Sequence, residues 1–177
     1  MSQLTENLTV TSQQAKPAIK AAMLAGRPSF LWGPPGVGKS ELVEEIATEM
    51  GNCLVIDLRM AQMEPTDIRG IPFFNKDLGV MDWAPPIELP SEELAAQYDK
   101  IILFLDEMNS APPAVQAAGY QLVLNGRVGK YILPKNVHIV AAGNRDSEKG
   151  VTYRMPMHLA NRFIHLEMGP DFKSWQT

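Results

Sequence analysis

Apolar residues occur along the chain either in continuous runs or at helical spacing. The two patterns alternate along the sequence, which predicts strands interleaved with helices. Continuous apolar runs bounded by polar or turn residues predict buried strands at 30–32, 53–58, 101–105, 137–142 and 163–166. Apolar residues at helical spacing predict helices at 12–25 and 41–50, and a further helix that starts at Pro112-Pro113 and ends before Gly126. Strands that alternate with helices in this way indicate an α/β fold with a mainly parallel sheet.

Smaller elements are predicted between these strands and helices. Residues 71–83, with Gly79 near their middle, and residues 127–133 predict β-hairpins. Short helices or turns are predicted at 64–70, 91–99 and 156–161. Residues 1–11 are polar and predicted to be loosely ordered. The predicted organisation is therefore a flexible N-terminus over 1–11 and one α/β domain over 12–177.

A glycine-rich segment joins the strand at 30–32 to the helix at 41–50. It reads Gly33-Pro34-Pro35-Gly36-Val37-Gly38-Lys39-Ser40. Its glycines allow successive backbone N–H groups to point at one anion, and the next helix adds the positive end of its dipole. Lys39 is then placed to reach the β- and γ-phosphates, and the Ser40 hydroxyl to hold Mg²⁺. We interpret the segment as a nucleotide-binding loop; the alternative is a Gly/Pro turn beside a solvated lysine.

Two acidic residues, Asp106 and Glu107, directly follow the apolar run at 101–105. Ligands of open α/β sheets bind beyond the carboxyl ends of the strands, which is where both carboxylates are expected. Asp106 suits Mg²⁺ held opposite Ser40, and Glu107 suits orientation and deprotonation of an attacking water. An exposed pair of strand-end acids is the simpler alternative.

Asn144 follows the strand at 137–142, so its amide could bridge the γ-phosphate and the attacking water. The alternative is a turn residue in a Gly-Asn dipeptide. Arg162 precedes the last strand and could reach a neighbouring subunit's nucleotide as an arginine finger, with Arg145 and Arg154 as rival candidates. Any of the three arginines could instead be solvated or ion-paired.

Composition narrows the class of protein. The chain has 177 residues, 45% hydrophobic and 20% charged, as in soluble globular domains. No segment is apolar enough to span a bilayer, and the N-terminus lacks the regions of a signal peptide, so we expect a cytoplasmic protein without a membrane partner. The net charge of −4 argues against non-specific nucleic-acid binding.

The residues that commonly bind metals do not form a recognisable site. The single cysteine, Cys53, lies in an apolar run and is predicted to be a buried thiol in a reducing cytosol. His138, His158 and His165 lack metal-site spacing and are predicted to be structural or surface residues.

Together, these residues resemble the AAA+ ATPases. Residues 33–40 match Walker A, residues 101–107 match Walker B with its catalytic glutamate, and Asn144 matches sensor 1. Residues 59–83 look like the helix-2 insert of the MoxR-like clade, and residues 126–134 look like its hairpin before sensor 1. Residues 160–163 resemble the segment that carries the clade's arginine finger, here Arg162. The resemblance covers about residues 12–170.

The resemblance implies a fold, an activity and partners. The fold would be a three-layer P-loop NTPase with a five-stranded sheet of order 5-1-4-3-2. The activity would be Mg²⁺-dependent ATP hydrolysis by a ring homo-oligomer, usually a hexamer, that remodels a partner protein. Such partners often carry a von Willebrand factor A-type domain. Family members also have a helical lid after the last strand, which this chain does not reach, so we expect a truncation with weakened hydrolysis and assembly.

Two other functions remain open. One is a nucleic-acid motor or loader of the restriction or replication type, which shares the AAA+ core but is disfavoured by the acidic balance. The other is a nucleotide-gated scaffold that does not hydrolyse ATP. Glu107 and Asn144 disfavour a scaffold, because it needs no water-activating carboxylate.

Overall fold

The computed structural model describes residues 9–144 and 155–169. The helices in these ranges are α1 (Ser12–Leu24), α2 (Lys39–Met50), α3 (Pro65–Arg69), α4 (Glu92–Ala95), α5 (Pro113–Asn125) and α6 (Met157–Ala160). The strands are β1 (Thr9–Val10), β2 (Ser29–Trp32), β3 (Cys53–Arg59), β4 (Ile71–Asn75), β5 (Val80–Ala84), β6 (Lys100–Asp106), β7 (Arg127–Val128), β8 (Tyr131–Ile132), β9 (Val137–Gly143) and β10 (Ile164–Met168). Single 3-10 turns form at Met60–Gln62 and Met108–Ser110.

A parallel sheet of six strands forms the centre of the domain, in the order β1-β10-β2-β9-β6-β3. Without β1, this order is 5-1-4-3-2 when the strands are numbered along the chain, so the predicted fold class is confirmed. The sixth strand is a difference from the expectation of loose order over 1–11. Thr9 and Val10 pair with Glu167 and Met168 at the edge of the sheet, whereas residues 1–8 lie outside the described ranges.

Helices cover both faces of the sheet, because its inner strands are apolar on both sides. In β6, Ile101, Leu103 and Leu105 pack in one cluster with α5, while Ile102 and Phe104 pack in a second cluster with α1 and α2. Successive strand residues point to opposite faces, so one apolar run supplies both clusters. The result is the three-layer sandwich expected from the sequence.

The predicted hairpins form and pack beside each other. Strands β4 and β5 pair antiparallel, as do β7 and β8. An ion pair between Asp82 and Lys130 joins the two hairpins. Gly70 stands at the base of the first hairpin, where a Cβ atom would lie only 2.0 Å from the Ala84 carbonyl oxygen. A side chain at this position would therefore separate β4 from β5, and the positive φ of 82° adds a second reason for glycine.

Several boundaries differ from the sequence predictions. The helix expected over 91–99 is the single turn α4, and the last strand extends to Met168. Cys53 is half-buried rather than fully buried, and burial raises the pKa of its thiol. Within 9–144 and 155–169, none of the helices has both the length and the apolar character needed to cross a bilayer.

Candidate nucleotide-binding site

Three strands of the sheet end at one cavity. The glycine loop follows β2, Asp106 ends β6, and Asn144 directly follows β9. The cavity measures about 260 Å³ and is lined by Pro35, Gly36, Gly38, Lys39, Ser40, Glu41, Asp106, Glu107 and Asn144. The structure thus brings together the glycine loop, the acidic pair and the asparagine where the carboxyl ends of the strands lie. We call this side of the sheet its carboxyl edge, and it is where such folds bind ligands.

The conformation of the loop depends on its glycines. Gly36 and Gly38 have φ angles of 76° and 88°, in the left-handed region that residues with side chains rarely adopt. Gly33 is needed for a different reason. A Cβ atom there would lie 2.9 Å from the Met168 carbonyl oxygen of β10. The loop can therefore curl tightly over the end of the sheet.

The loop leads directly into the N-terminus of α2. Gly38 is the N-cap, and no side chain in the described part of the chain caps this helix end through a hydrogen bond. Helices begin with backbone N–H groups that have no partner within the helix, and their dipole adds partial positive charge. A helix end without a side-chain cap, beside a polar cavity, fits the binding of an anion such as a phosphate group.

Lys39 is held inside this cavity by oxygen atoms. Its side-chain Nζ donates to the carbonyl oxygens of Gly33, at 2.7 Å, and Pro34, at 3.0 Å, and to Asn144 Oδ1, at 3.1 Å. Only 8% of Lys39 is exposed. A buried ammonium group needs such partners, and here they place its charge between the glycine loop and the end of β9.

The acidic pair has an unusual backbone. Glu107 has φ 53° and ψ 33°, and among the described residues it is the non-glycine residue with a positive φ. Its backbone N–H donates to Asp106 Oδ1 at 2.8 Å. The left-handed conformation costs a residue with a side chain of order 1–3 kcal/mol and concentrates at functional sites. The strain therefore agrees with a functional role for this turn.

The residues fit Mg²⁺ only in combination with a nucleotide. Within the described ranges, no group of three or more histidine, cysteine, aspartate or glutamate side chains could hold a metal ion on its own. Ser40 and Asp106 nevertheless line the same cavity and offer the hard oxygen ligands that Mg²⁺ prefers. Mg²⁺ commonly binds through one or two protein oxygens together with waters and substrate phosphates, and this donor set matches that pattern.

Arg162 lies away from this cavity. It precedes Ile164, which pairs with Ser29 at the start of β2, whereas the glycine loop follows the end of β2. Four strand residues span roughly 13 Å. Arg162 therefore lies where the amino ends of the strands are, at the amino edge of the sheet, and it is exposed there. Arg145 and Arg154, the rival candidates, lie outside the described residues.

Two buried polar residues beside the cavity were not predicted as site residues. Asn109 and Gln116 are 3% and 4% exposed, respectively. Asn109 hydrogen-bonds to the backbone of Asn144, and Gln116 donates to the backbone carbonyl oxygens of Asn109 and Ala111. The available signal was Gln116 itself, because a polar residue on the apolar side of a helix usually needs buried partners.

The family model described as "AAA domain (dynein-related subfamily)" matches residues 28–163, which include every element of this cavity. The chain belongs to the AAA domain family. The match begins just before β2 and ends just before β10. The glycine loop, the acidic pair and Asn144 therefore all lie within the matched residues.

One curated relative and two solved structures are similar to this chain, and the two structures agree with its fold. The replication factor C large subunit of Aeropyrum pernix is 28% identical over 99 residues, 56% of this chain and 18% of that protein. A crystal structure of a candidate ATPase from Cytophaga hutchinsonii has a TM-score of 0.66 at 20% identity, covering 96% of this chain and 50% of that one. NtrX from Brucella abortus has a TM-score of 0.53 at 16% identity, covering 91% of this chain and 37% of that one. The chain thus matches half or less of the length of each of these relatives.

Proposed function

We propose that this AAA domain binds ATP with Mg²⁺ and hydrolyses it, as part of a MoxR-like ring oligomer that remodels a partner protein. The observation that carries the proposal is the convergence of Lys39, Asp106, Glu107 and Asn144 on one cavity at the N-terminus of α2. Phosphoryl transfer to water needs positive charge at the phosphates, a held cation and an oriented water. These four side chains and the loop amides supply each requirement.

Each residue has a distinct proposed role. The amides of residues 33–40 and the Lys39 ammonium bind the phosphates, while Ser40 and Asp106 hold Mg²⁺. The cation offsets the negative charge that develops on the phosphate oxygens. Glu107 accepts a proton from the attacking water, and Asn144 orients that water against the γ-phosphate.

The position of Arg162 supports a shared site. Because Arg162 is exposed at the edge of the sheet opposite its own glycine loop, it cannot reach the nucleotide bound by its own chain. A neighbouring subunit in a ring could present this guanidinium to the phosphates, as an arginine finger does. We therefore assign Arg162 the role of a residue that acts in trans.

The first hairpin supports contact with a protein. Large apolar side chains of β4, β5 and their connecting turn are exposed: Ile71, Phe73, Phe74, Leu78, Val80, Met81 and Trp83. Contiguous exposed apolar surface commonly marks a site of interaction with another protein. This is the segment that resembles the helix-2 insert of the MoxR-like clade, so we place contacts of the ring or its substrate protein here.

The similarity to a replication factor C large subunit favours one alternative, an AAA+ loader that acts on nucleic acid. The chain's net charge of −4 speaks against it, because nucleic-acid binding usually requires a basic surface. Salt-sensitive DNA binding by the complete protein, with ATP hydrolysis stimulated by DNA, would select the loader.

ATP hydrolysis by the complete protein tests the proposal. Turnover should require Mg²⁺ and should rise with protein concentration as subunits assemble and share sites. DNA should have no effect on it. Tight nucleotide binding without turnover at any protein concentration would replace the proposal with a nucleotide-gated scaffold.

A further inference from the structure

The side chain of Asn109 makes two hydrogen bonds to the main chain of one residue, Asn144. Its Nδ2 donates to the Asn144 carbonyl oxygen at 2.6 Å, and its Oδ1 accepts from the Asn144 N–H at 3.1 Å. A carboxamide carries both a donor and an acceptor, so it can satisfy both backbone groups at once. The reverse orientation would place the Asn109 donor against the Asn144 N–H and the Asn109 acceptor against the Asn144 carbonyl oxygen. The chemistry therefore fixes the orientation of the Asn109 amide.

The contact also depends on a glycine in the neighbouring backbone. A Cβ atom at Gly143, the residue before Asn144, would lie 2.4 Å from Asn109 Oδ1 and 3.0 Å from Phe30 Cζ. Any side chain at position 143 would push Asn109 away from the end of β9. The Asn109 carboxamide therefore packs directly against the backbone of Gly143.

A second buried carboxamide holds Asn109 from the other side. Gln116 of α5 donates from Nε2 to the carbonyl oxygens of Asn109, at 3.2 Å, and Ala111, at 3.0 Å. The Tyr120 hydroxyl in turn donates to Gln116 Oε1 at 2.9 Å. Burial raises the pKa of Tyr120 to about 12, so its phenol keeps the donated proton at neutral pH. The 3-10 turn that carries Asn109 is thus tied to α5.

This network continues into the site. Asn144 accepts from the Lys39 ammonium at 3.1 Å, and Asn109 lies two residues after Glu107 on the same turn. The Asn109 contact therefore links Asn144 directly to the turn that carries Glu107. A satisfied polar network of this kind makes the local structure rigid, so we expect the loss of one member to affect the others.

We propose that Asn109 is a positioning residue for ATP hydrolysis. By holding the backbone of Asn144, it fixes the side-chain amide of Asn144 relative to Glu107 and the γ-phosphate. This inference rests on the proposed function and adds a residue to it. Asn109 touches neither nucleotide nor water in this account; it acts only through Asn144. The rigid unit formed by residues 106–109 and Asn144 keeps the group that activates water and the group that orients it in fixed relative positions.

The variant Asn109→Leu keeps the size of the side chain but removes both hydrogen bonds. A misplacement of about 1 Å at a reacting centre can reduce the rate by on the order of 100-fold. We expect kcat for Mg-ATP to fall by roughly 10- to 100-fold, with the nucleotide Kd changed less than about threefold. Asn109→Asp keeps the acceptor but places a carboxylate oxygen opposite the Asn144 carbonyl oxygen at a buried position, so its kcat should fall at least as far as that of Asn109→Leu.

Loss of stability alone is controlled by a matched variant. Leu122→Ala truncates a buried residue of the same helix α5 whose side chain makes none of these hydrogen bonds, and is expected to lower the melting temperature. Its kcat, measured well below that temperature, should equal that of the wild type. An equal loss of kcat in Leu122→Ala would show that general destabilisation explains the effect, and would overturn the inference.

A double-mutant cycle on the complete, assembled protein is the decisive test. If Asn109 acts through Asn144, then Asn109→Leu should lower kcat in the wild type but not further in an Asn144→Ala background. Effects that multiply in the double variant, or an Asn109→Leu enzyme with wild-type kcat, would overturn this inference and leave the proposed function intact. A wild-type protein that binds Mg-ATP without turnover would overturn both.

Discussion

The two edges of the central sheet have opposite chemistry. At the carboxyl edge, polar side chains are buried and partnered, as Lys39 and Asn109 show. At the amino edge, Arg162 is exposed and far from that cavity. In the proposed mechanism, one chain supplies the phosphate-binding and water-activating groups by itself, whereas the Arg162 guanidinium comes from another subunit. The following predictions test this division of roles.

The largest effect is expected at the carboxyl edge from Lys39→Ala. Removal of the ammonium should weaken ATP binding by about 100-fold or more, because charge-assisted hydrogen bonds to the phosphates are lost. Calorimetric titration with ATP measures this. Lys76→Ala, at the exposed turn of the first hairpin, is the matched control and should bind as the wild type does. Unchanged affinity in Lys39→Ala would refute the assignment of the loop.

Glu107→Gln should separate binding from chemistry at the same edge. The amide cannot accept a proton from water, so we expect turnover to fall by about 10²- to 10⁴-fold while ATP binding is retained. Single-turnover hydrolysis and nucleotide titration on the same sample measure the two properties. Glu88→Gln, an exposed residue after β5, serves as the control. Turnover close to wild type in Glu107→Gln would remove this residue from the mechanism.

Mixed oligomers test the amino edge. Arg162→Ala and Lys39→Ala should each be inactive alone. A mixture should recover part of the activity, because Lys39→Ala subunits can present an intact Arg162 to an intact glycine loop. Arg27→Ala, which removes another exposed arginine at the same edge, should be active without mixing. No recovery in the mixture would reduce Arg162 to a structural role.

Acid is expected to lower the stability of the protein by a small amount, through a residue at the amino edge of the sheet. Burial, and then the charge of Lys100, lowers the pKa of His138 below its ordinary 6.5. The unfolded chain therefore takes up a proton at this residue more readily than the folded one, so stability should fall as pH drops below about 6.5. Thermal melts at pH 7.5 and pH 5.5 should show a smaller acid-induced decrease for His138→Gln than for the wild type. An equal decrease would place the acid-sensitive group elsewhere.

Most of the fold could be predicted from the sequence, because the patterns that specify its strands, helices and loop each lie within a short stretch of the chain. The five-residue apolar run at 101–105, followed by two acids, is typical of a buried strand, and glycines with a lysine and a serine at fixed spacing define the loop. Strand β1 could not be predicted, because Thr9 and Val10 are too short a segment to show a pattern, and their pairing with β10 is a long-range contact.

The candidate site was predictable only in part, for the same reason. Lys39, Asp106 and Asn144 follow strands and are recognisable individually. The hydrogen bonds of Asn109 join residues 35 positions apart, and the left-handed backbone of Glu107 has no sequence signal of its own, because glutamate rarely adopts it. Such features depend on how the strands are brought together.

A crystal structure of the complete protein with Mg²⁺ and a non-hydrolysable ATP analogue tests the central claim most directly. We predict the triphosphate within the amides of residues 33–40, with the Ser40 hydroxyl about 2.1 Å from Mg²⁺ and Asp106 facing the ion's water shell. Asn144 should lie beside the γ-phosphate. A triphosphate bound elsewhere, or an Asp106 carboxylate turned away from the magnesium ion, would contradict the account.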